Sequence, residues 1–142
     1  MSNKVPFQIG DTISYTKTIS ESDVYLFAGI TGDFSQMHMN EEFMKKTPYK
    51  TRIAHGVLIF ALASTASTLI QVQARAEIPS VSYGYDRLRF TKPVFFGDTV
   101  TAVYTITEID TANLKSFAKV EVFNQKGEMC VVATHILKFI PI

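Results

Sequence analysis

A carboxylate and an imidazole stand five residues apart in the stretch Gly32-Asp33-Phe34-Ser35-Gln36-Met37-His38-Met39-Asn40. Turned toward one space, Asp33 and His38 could hold a water between them, take a proton from it and deliver one to carbon. The same spacing suits an aspartate that caps the next turn and a histidine packed into a core. On spacing alone that plainer reading is favoured. Further on, Arg52-Ile53-Ala54-His55-Gly56 opens a long apolar run. A glycine at the start of a buried helix lets a ligand carbonyl approach free N–H groups and the positive end of the helix dipole. An oxygen gaining negative charge would be stabilised there. Close packing of a helix on a sheet would require a glycine equally well. His55, beside it, could bond a ligand, but orienting the helix start is the simpler role.

Other reactive groups offer less. The three histidines His38, His55 and His135 have no zinc-ligand spacing and no cysteine pairs beside them, so no metal is expected. Cys130 lies amid Met129, Val131 and Val132 and reads as a core residue. Lys45, Lys46, Lys50 and Arg52, with Arg87, Arg89 and Lys92 later, could meet ligand phosphates, although each taken singly reads as part of a solvated face. No Gly-x-Gly-x-x-Gly, P-loop or Gly-x-Ser-x-Gly pattern supports a nucleotide fold or a serine hydrolase.

The elements that must position these groups follow from turn chemistry and periodicity. Ile9-Gly10-Asp11 is a turn, and residues 12–19 read as a strand rich in β-branched and aromatic types. Ser20 then caps a helix, with Asp23 three residues on in a capping-box pattern. Gly32 ends that helix and leaves Asp33 on a turn. Asn40 opens a second short helix with Glu41 and Glu42 in its first turn. The central helix runs from near Gly56 to about residues 75–79. Four strands follow, over residues 80–90, 99–109, 117–123 and 129–139, and their short links favour antiparallel neighbours. The pattern predicts a single α+β domain over 1–142, a curved antiparallel sheet around one long helix. Its sheet edges would be managed by pairing two copies of the chain, so a homodimer is expected.

Composition narrows the function classes. The chain is 46% hydrophobic and 19% charged, as a folded globule should be, and its net charge of +1 gives no field for nucleic acid. A single cysteine excludes an intrachain disulfide, and the N-terminus has no signal-peptide core, so a cytoplasmic location is expected. Residues 57–74 carry no charge and approach the length of a membrane span. The hydroxyl and amide residues Ser64, Thr65, Ser67, Thr68, Gln71 and Gln73 within it fit a sheet-wrapped helix better, and no membrane partner is expected.

Three segments taken together resemble MaoC-type (R)-specific enoyl-CoA hydratases. They are residues 32–40, Arg52-Ile53-Ala54-His55-Gly56-Val57-Leu58, and Tyr85-Asp86-Arg87-Leu88-Arg89-Phe90-Thr91-Lys92-Pro93-Val94-Phe95-Phe96-Gly97-Asp98. The resemblance covers about residues 9–139, with the motifs in the family's order. It implies a hot-dog fold that pairs its sheets into a homodimer, with higher oligomers possible, and an acyl-CoA or acyl carrier protein thioester as substrate. It implies hydration of a trans-2-enoyl thioester to the (R)-3-hydroxyacyl product, or the reverse dehydration, without a cofactor. The catalytic pair falls on Asp33 and His38. The thioester carbonyl falls on the Gly56 N–H, and His55, Arg52 and Arg87 become substrate-binding candidates. Many members have Asn-Pro where this chain has Ser35-Gln36, so the turn and the pocket wall are expected to differ. A hot-dog acyl-CoA thioesterase and a non-catalytic acyl-thioester-binding subunit are the alternatives. The first is disfavoured because residues 57–74 offer no carboxylate, the second because the Asp33/His38 pair is intact.

Overall fold

The computed structural model describes residues 3–142. Five strands form one antiparallel sheet: β1 Thr12–Thr18, β2 Ser80–Phe90, β3 Thr99–Asp110, β4 Lys115–Phe123 and β5 Met129–Phe139. Their order is β1-β3-β4-β5-β2. Short turns make β3, β4 and β5 neighbours, as expected. The link 91–98 does not do the same for β2 and β3: β2 lies at the edge of the sheet, with β5 and β4 between it and β3. That link instead crosses the end of the sheet, where Phe95 bridges to Ile53 and Val94 accepts from the Ala54 N–H at 2.8 Å.

Period-two burial marks the face turned toward the helix. Val100, Ala102, Tyr104 and Ile106 on β3 are all buried, as are Ser116, Ala118, Val120 and Val122 on β4. Against them lies the central rod, which is two helices, α4 Gly56–Phe60 and α5 Leu62–Gln73, broken at Ala61. Ala63 and Ala66 on α5 and Ala102 and Ala118 on the sheet have no exposed surface, and their small side chains let helix and sheet approach closely. By length and composition Gly56–Gln73 would suit a membrane span; here α5 packs on β1 and β3.

The segment between β1 and the rod carries three short helices, α1 Glu21–Thr31, α2 Gln36–Met39 and α3 Glu41–Met44. Ser20 and Asp23 form the expected capping box, Gly32 closes α1 in the left-handed region at φ 79°, and Asn40 accepts from the Phe43 N–H to cap α3. The single turn α2 had no periodic signature.

Candidate active site

Each member of the Asp33/His38 pair has both a structural and a free end. Asp33 follows the Gly32 cap, and its Oδ1 accepts the Ser35 N–H at 3.2 Å, the turn-capping role read from the sequence. Its Oδ2 lies 4.0 Å from His38 Nε2 and 4.0 Å from His55 Nε2. His38, on α2 and buried, has Nδ1 2.7 Å from the Ile53 carbonyl. That oxygen can only accept, so Nδ1 carries a proton, and in the neutral imidazole Nε2 keeps its lone pair beside Asp33. The capping and packing contacts therefore occupy one end of each side chain, and the other ends, Oδ2 and Nε2, lie 4.0 Å apart.

The Ser35-Gln36 departure is absorbed locally. Ser35 is the N-cap of α2 and its Oγ accepts the Met37 N–H, while Gln36 fills the first helical position. Asn-Pro would serve the same two positions for the same reasons, a capping oxygen and then a residue whose N–H is not needed. The turn is kept.

Gly56 begins α4, and its N–H has no hydrogen-bond partner among the described residues. The preceding His55 makes no side-chain cap, so the helix start stays open. A Cβ at position 56 would lie 3.0 Å from the Phe90 ring, so close packing also accounts for the glycine. Gly56, His38 and Phe90 all line a cavity of about 270 Å³ whose far wall includes Ile59, Val94 and Cys130. Cys130, read as core, is buried and also forms part of this wall; burial pushes its thiol upward, so it stays protonated at neutral pH. Tyr49 lines the cavity as well, whereas Phe34 is exposed and Phe60 packs edge-on to Tyr85. The contributions of Phe90 and Cys130 come from β2 and β5, and no local pattern in the sequence marks them.

His55 and Arg52 are committed elsewhere. The His55 ring stacks on His38 at 3.7 Å, and its Nε2–H donates to the Asp33 carbonyl at 3.0 Å. Arg52 donates from Nη1 to Glu21 at 3.2 Å and to the Tyr25 hydroxyl at 2.6 Å, and it lies 4.7 Å over the Phe96 ring. Glu41 in turn accepts the Arg52 N–H and the Thr51 hydroxyl, which hold its carboxyl below the usual range. Arg52 thus ties α1, α3 and the approach to α4 together. Arg87 sits on β2 with φ 53°, at an irregularity in the pairing with β5, and does not line the cavity.

Asp33, His38 and His55 each offer one ligand atom within 4.8 Å of the others. The two imidazoles are nearly parallel, 25° apart, so their lone pairs do not converge as a tetrahedral ion requires. His55 Nε2 is also already a donor. The donor set does not fit a metal.

A family model for the MaoC like domain matches residues 6–127. The chain is 44% identical over 98 residues to an (R)-specific enoyl-CoA hydratase of Rhodospirillum rubrum, covering 69% of this chain and 65% of that protein. It is 37% identical to a 3-hydroxybutyryl-CoA dehydratase of Methylorubrum extorquens over 72% of this chain and 62% of the relative. These matches span just under two thirds of the relatives' length. Among solved structures, an R-hydratase of Pseudomonas aeruginosa superposes with a TM-score of 0.80 at 30% identity, over 96% of this chain and 86% of its own. The (R)-hydratase of Aeromonas caviae gives 0.81 at 28%, over 93% and 96%. The five-stranded sheet around a central helix is the hot-dog fold of these hydratases, and the chain belongs to the MaoC-like family.

Proposed function

We propose that the protein adds water to a trans-2-enoyl thioester, or removes it from the (R)-3-hydroxyacyl product. The observation that carries this reading is the 4.0 Å separation of Asp33 Oδ2 and His38 Nε2, beside a cavity lined by His38 and by Gly56, whose N–H has no partner among the described residues. A water set off the line between them, at about 2.8 Å from each, can bond both groups at once. His38, with its lone pair available, takes a proton from the water. The Asp33 carboxylate accepts the other O–H and sets the angle of attack. Oxygen bonds to Cβ, the double-bond electrons move toward the thioester carbonyl, and the Gly56 N–H stabilises the enolate that forms. The proton held by the pair is returned to Cα, so one water is added across the double bond and both side chains end as they began. Delivery from one side yields one hand of product, and (R) is the hand that the relatives' names give.

The homodimer belongs to this proposal. The Asp33 carboxylate is 53% exposed in the single chain, and the edge strand β2 presents Val81, Tyr83 and Phe90 to solvent. A second copy seated on that edge would dry the cavity mouth and pair an otherwise open strand. A cytoplasmic location, consistent with the free thiol of Cys130, is part of the same reading.

The test is purified protein with crotonyl-CoA, following loss of enoyl absorbance and release of free thiol together, with longer, branched and carrier-protein-bound enoyl thioesters as further substrates. Absorbance loss without thiol, and (R) product by a stereospecific dehydrogenase, is the expected result. Asp33→Asn keeps the Oδ1 turn and should fold normally while losing most of the rate. Thiol release would replace the reading with thioester hydrolysis, and full activity of Asp33→Asn would remove the assigned pair.

A further inference from the structure

Resting on that hydratase reading, we propose that His55 is a positioning residue that locks the two reacting side chains to each other and to the start of α4. His55 is 3% exposed and lies between Ala54 and Gly56, both of which line the cavity, yet it does not line the cavity itself. One ring face lies against His38, 3.7 Å between centroids, and Phe27 packs at 4.8 Å, tilted by 59°. Its Nε2–H is given to the Asp33 backbone carbonyl. The ring is buried and outside the cavity lining, so it does not meet a substrate there.

The need for such a lock follows from the local chain. Asp33 stands on a loop and His38 on the four-residue helix α2, which is far too short to hold its own geometry. A single ring, 22 residues from Asp33 and anchored at the rod, fixes the loop backbone through a hydrogen bond and the plane of His38 through its face. His38 is then held from two directions, by the Ile53 carbonyl at Nδ1 and by the His55 face, so that its Nε2 lone pair points toward Asp33.

The rest of the His55 ring shows that packing alone does not explain the choice of residue. Its Nδ1 is buried and has no hydrogen-bond partner. A phenylalanine would fill the same slot between His38 and Phe27 without a stranded nitrogen. What only the imidazole adds is the Nε2–H toward Asp33. That accounts for a residue that is otherwise a poor match to its surroundings.

Two substitutions separate the two functions of the ring. His55→Phe keeps the face against His38 and loses the donor; His55→Gln keeps a donor and loses the face. Each should lower kcat on the order of 10–100-fold with KM changed less than about threefold, because position and not substrate contact is lost. Imidazole 15N and 1H spectra of histidine-labelled protein read the geometry without turnover. The wild type should show His55 as the Nε2–H tautomer and His38 as Nδ1–H, and the His38 ring signals should move in both variants. Unchanged kcat in folded variants, a rise in KM alone, or an Nδ1–H tautomer at His55 in the wild type would each overturn the proposal. A wild type that hydrates no enoyl thioester would defeat the hydratase reading instead. The spectra would still decide whether His55 orders the pair.

Discussion

Two ring stacks in this molecule hold imidazoles, and His135 in one and His38 in the other have opposite fates. His135 in the sheet core stacks on Tyr85 at 4.1 Å, and both of its nitrogens are matched, Nδ1 by the Tyr104 hydroxyl at 2.8 Å and Nε2 by Ser82 Oγ at 2.7 Å. His38 stacks on His55 at a similar distance, but only its Nδ1 is matched, and Nε2 lies 4.0 Å from a carboxylate oxygen. Burial and stacking do not distinguish the two sites; an unsatisfied nitrogen does. A histidine with both ends bonded is structure, and one with a free end aimed at an acid can move a proton.

The comparison is broken most severely at His38. His38→Gln retains a donor for the Ile53 carbonyl but removes the ring lone pair. It should lower kcat about 10²–10⁴-fold in the crotonyl-CoA assay while the melting temperature stays close to wild type. At His135 the pattern should invert. His135→Ala leaves a void and strands the Tyr104 hydroxyl, which should cost about 3–4 kcal/mol in denaturant unfolding, with activity per folded molecule kept.

Acid gives a gentler version of the same contrast. Burial pushes the His135 imidazole down to about 4 from its ordinary value near 6.5. Between those values the unfolded chain binds a proton that the folded chain does not. Stability from this group is therefore complete above about pH 6.5 and is lost progressively as pH falls toward 4, up to roughly 3 kcal/mol. Unfolding free energies measured across that window should show the slope in wild type, and His135→Gln should flatten it. The smallest effect is expected for Tyr104→Phe. Burial pushes the Tyr104 hydroxyl upward, so it remains a proton donor to His135 Nδ1, and its loss should cost about 1–2 kcal/mol in a thermal melt.

What could be read from the sequence was local. The Ser20/Asp23 capping box, the Gly32 stop, the Asn40 cap and the strand periodicities each depend on residues within a few positions, and all are present. The family resemblance supplied the hot-dog wrap that local patterns only outlined. Long-range pairing was not legible. Nothing near Arg52 announces its ion pair with Glu21, 31 residues away, which joins α1 to the approach to α4. The seat of β2 beside β5, and with it the place of Phe90 in the cavity wall, depends on the whole sheet. The break at Ala61 has no glycine or proline to mark it.

The divided duty of Asp33, one oxygen for the Ser35 N–H and one for the gap before His38, bears on how such chains decay. A copy released from selection for turnover still needs the first oxygen to build its loop, and it still needs His38 Nδ1 to hold the Ile53 carbonyl. Those needs are met by an acceptor oxygen at 33 and a donor at 38, so architecture alone would hold position 33 to Asp or Asn and position 38 to His or a comparable donor. If the pair acts as proposed, the earliest scar of a lost activity is expected to be asparagine at position 33, which keeps the acceptor that the loop uses.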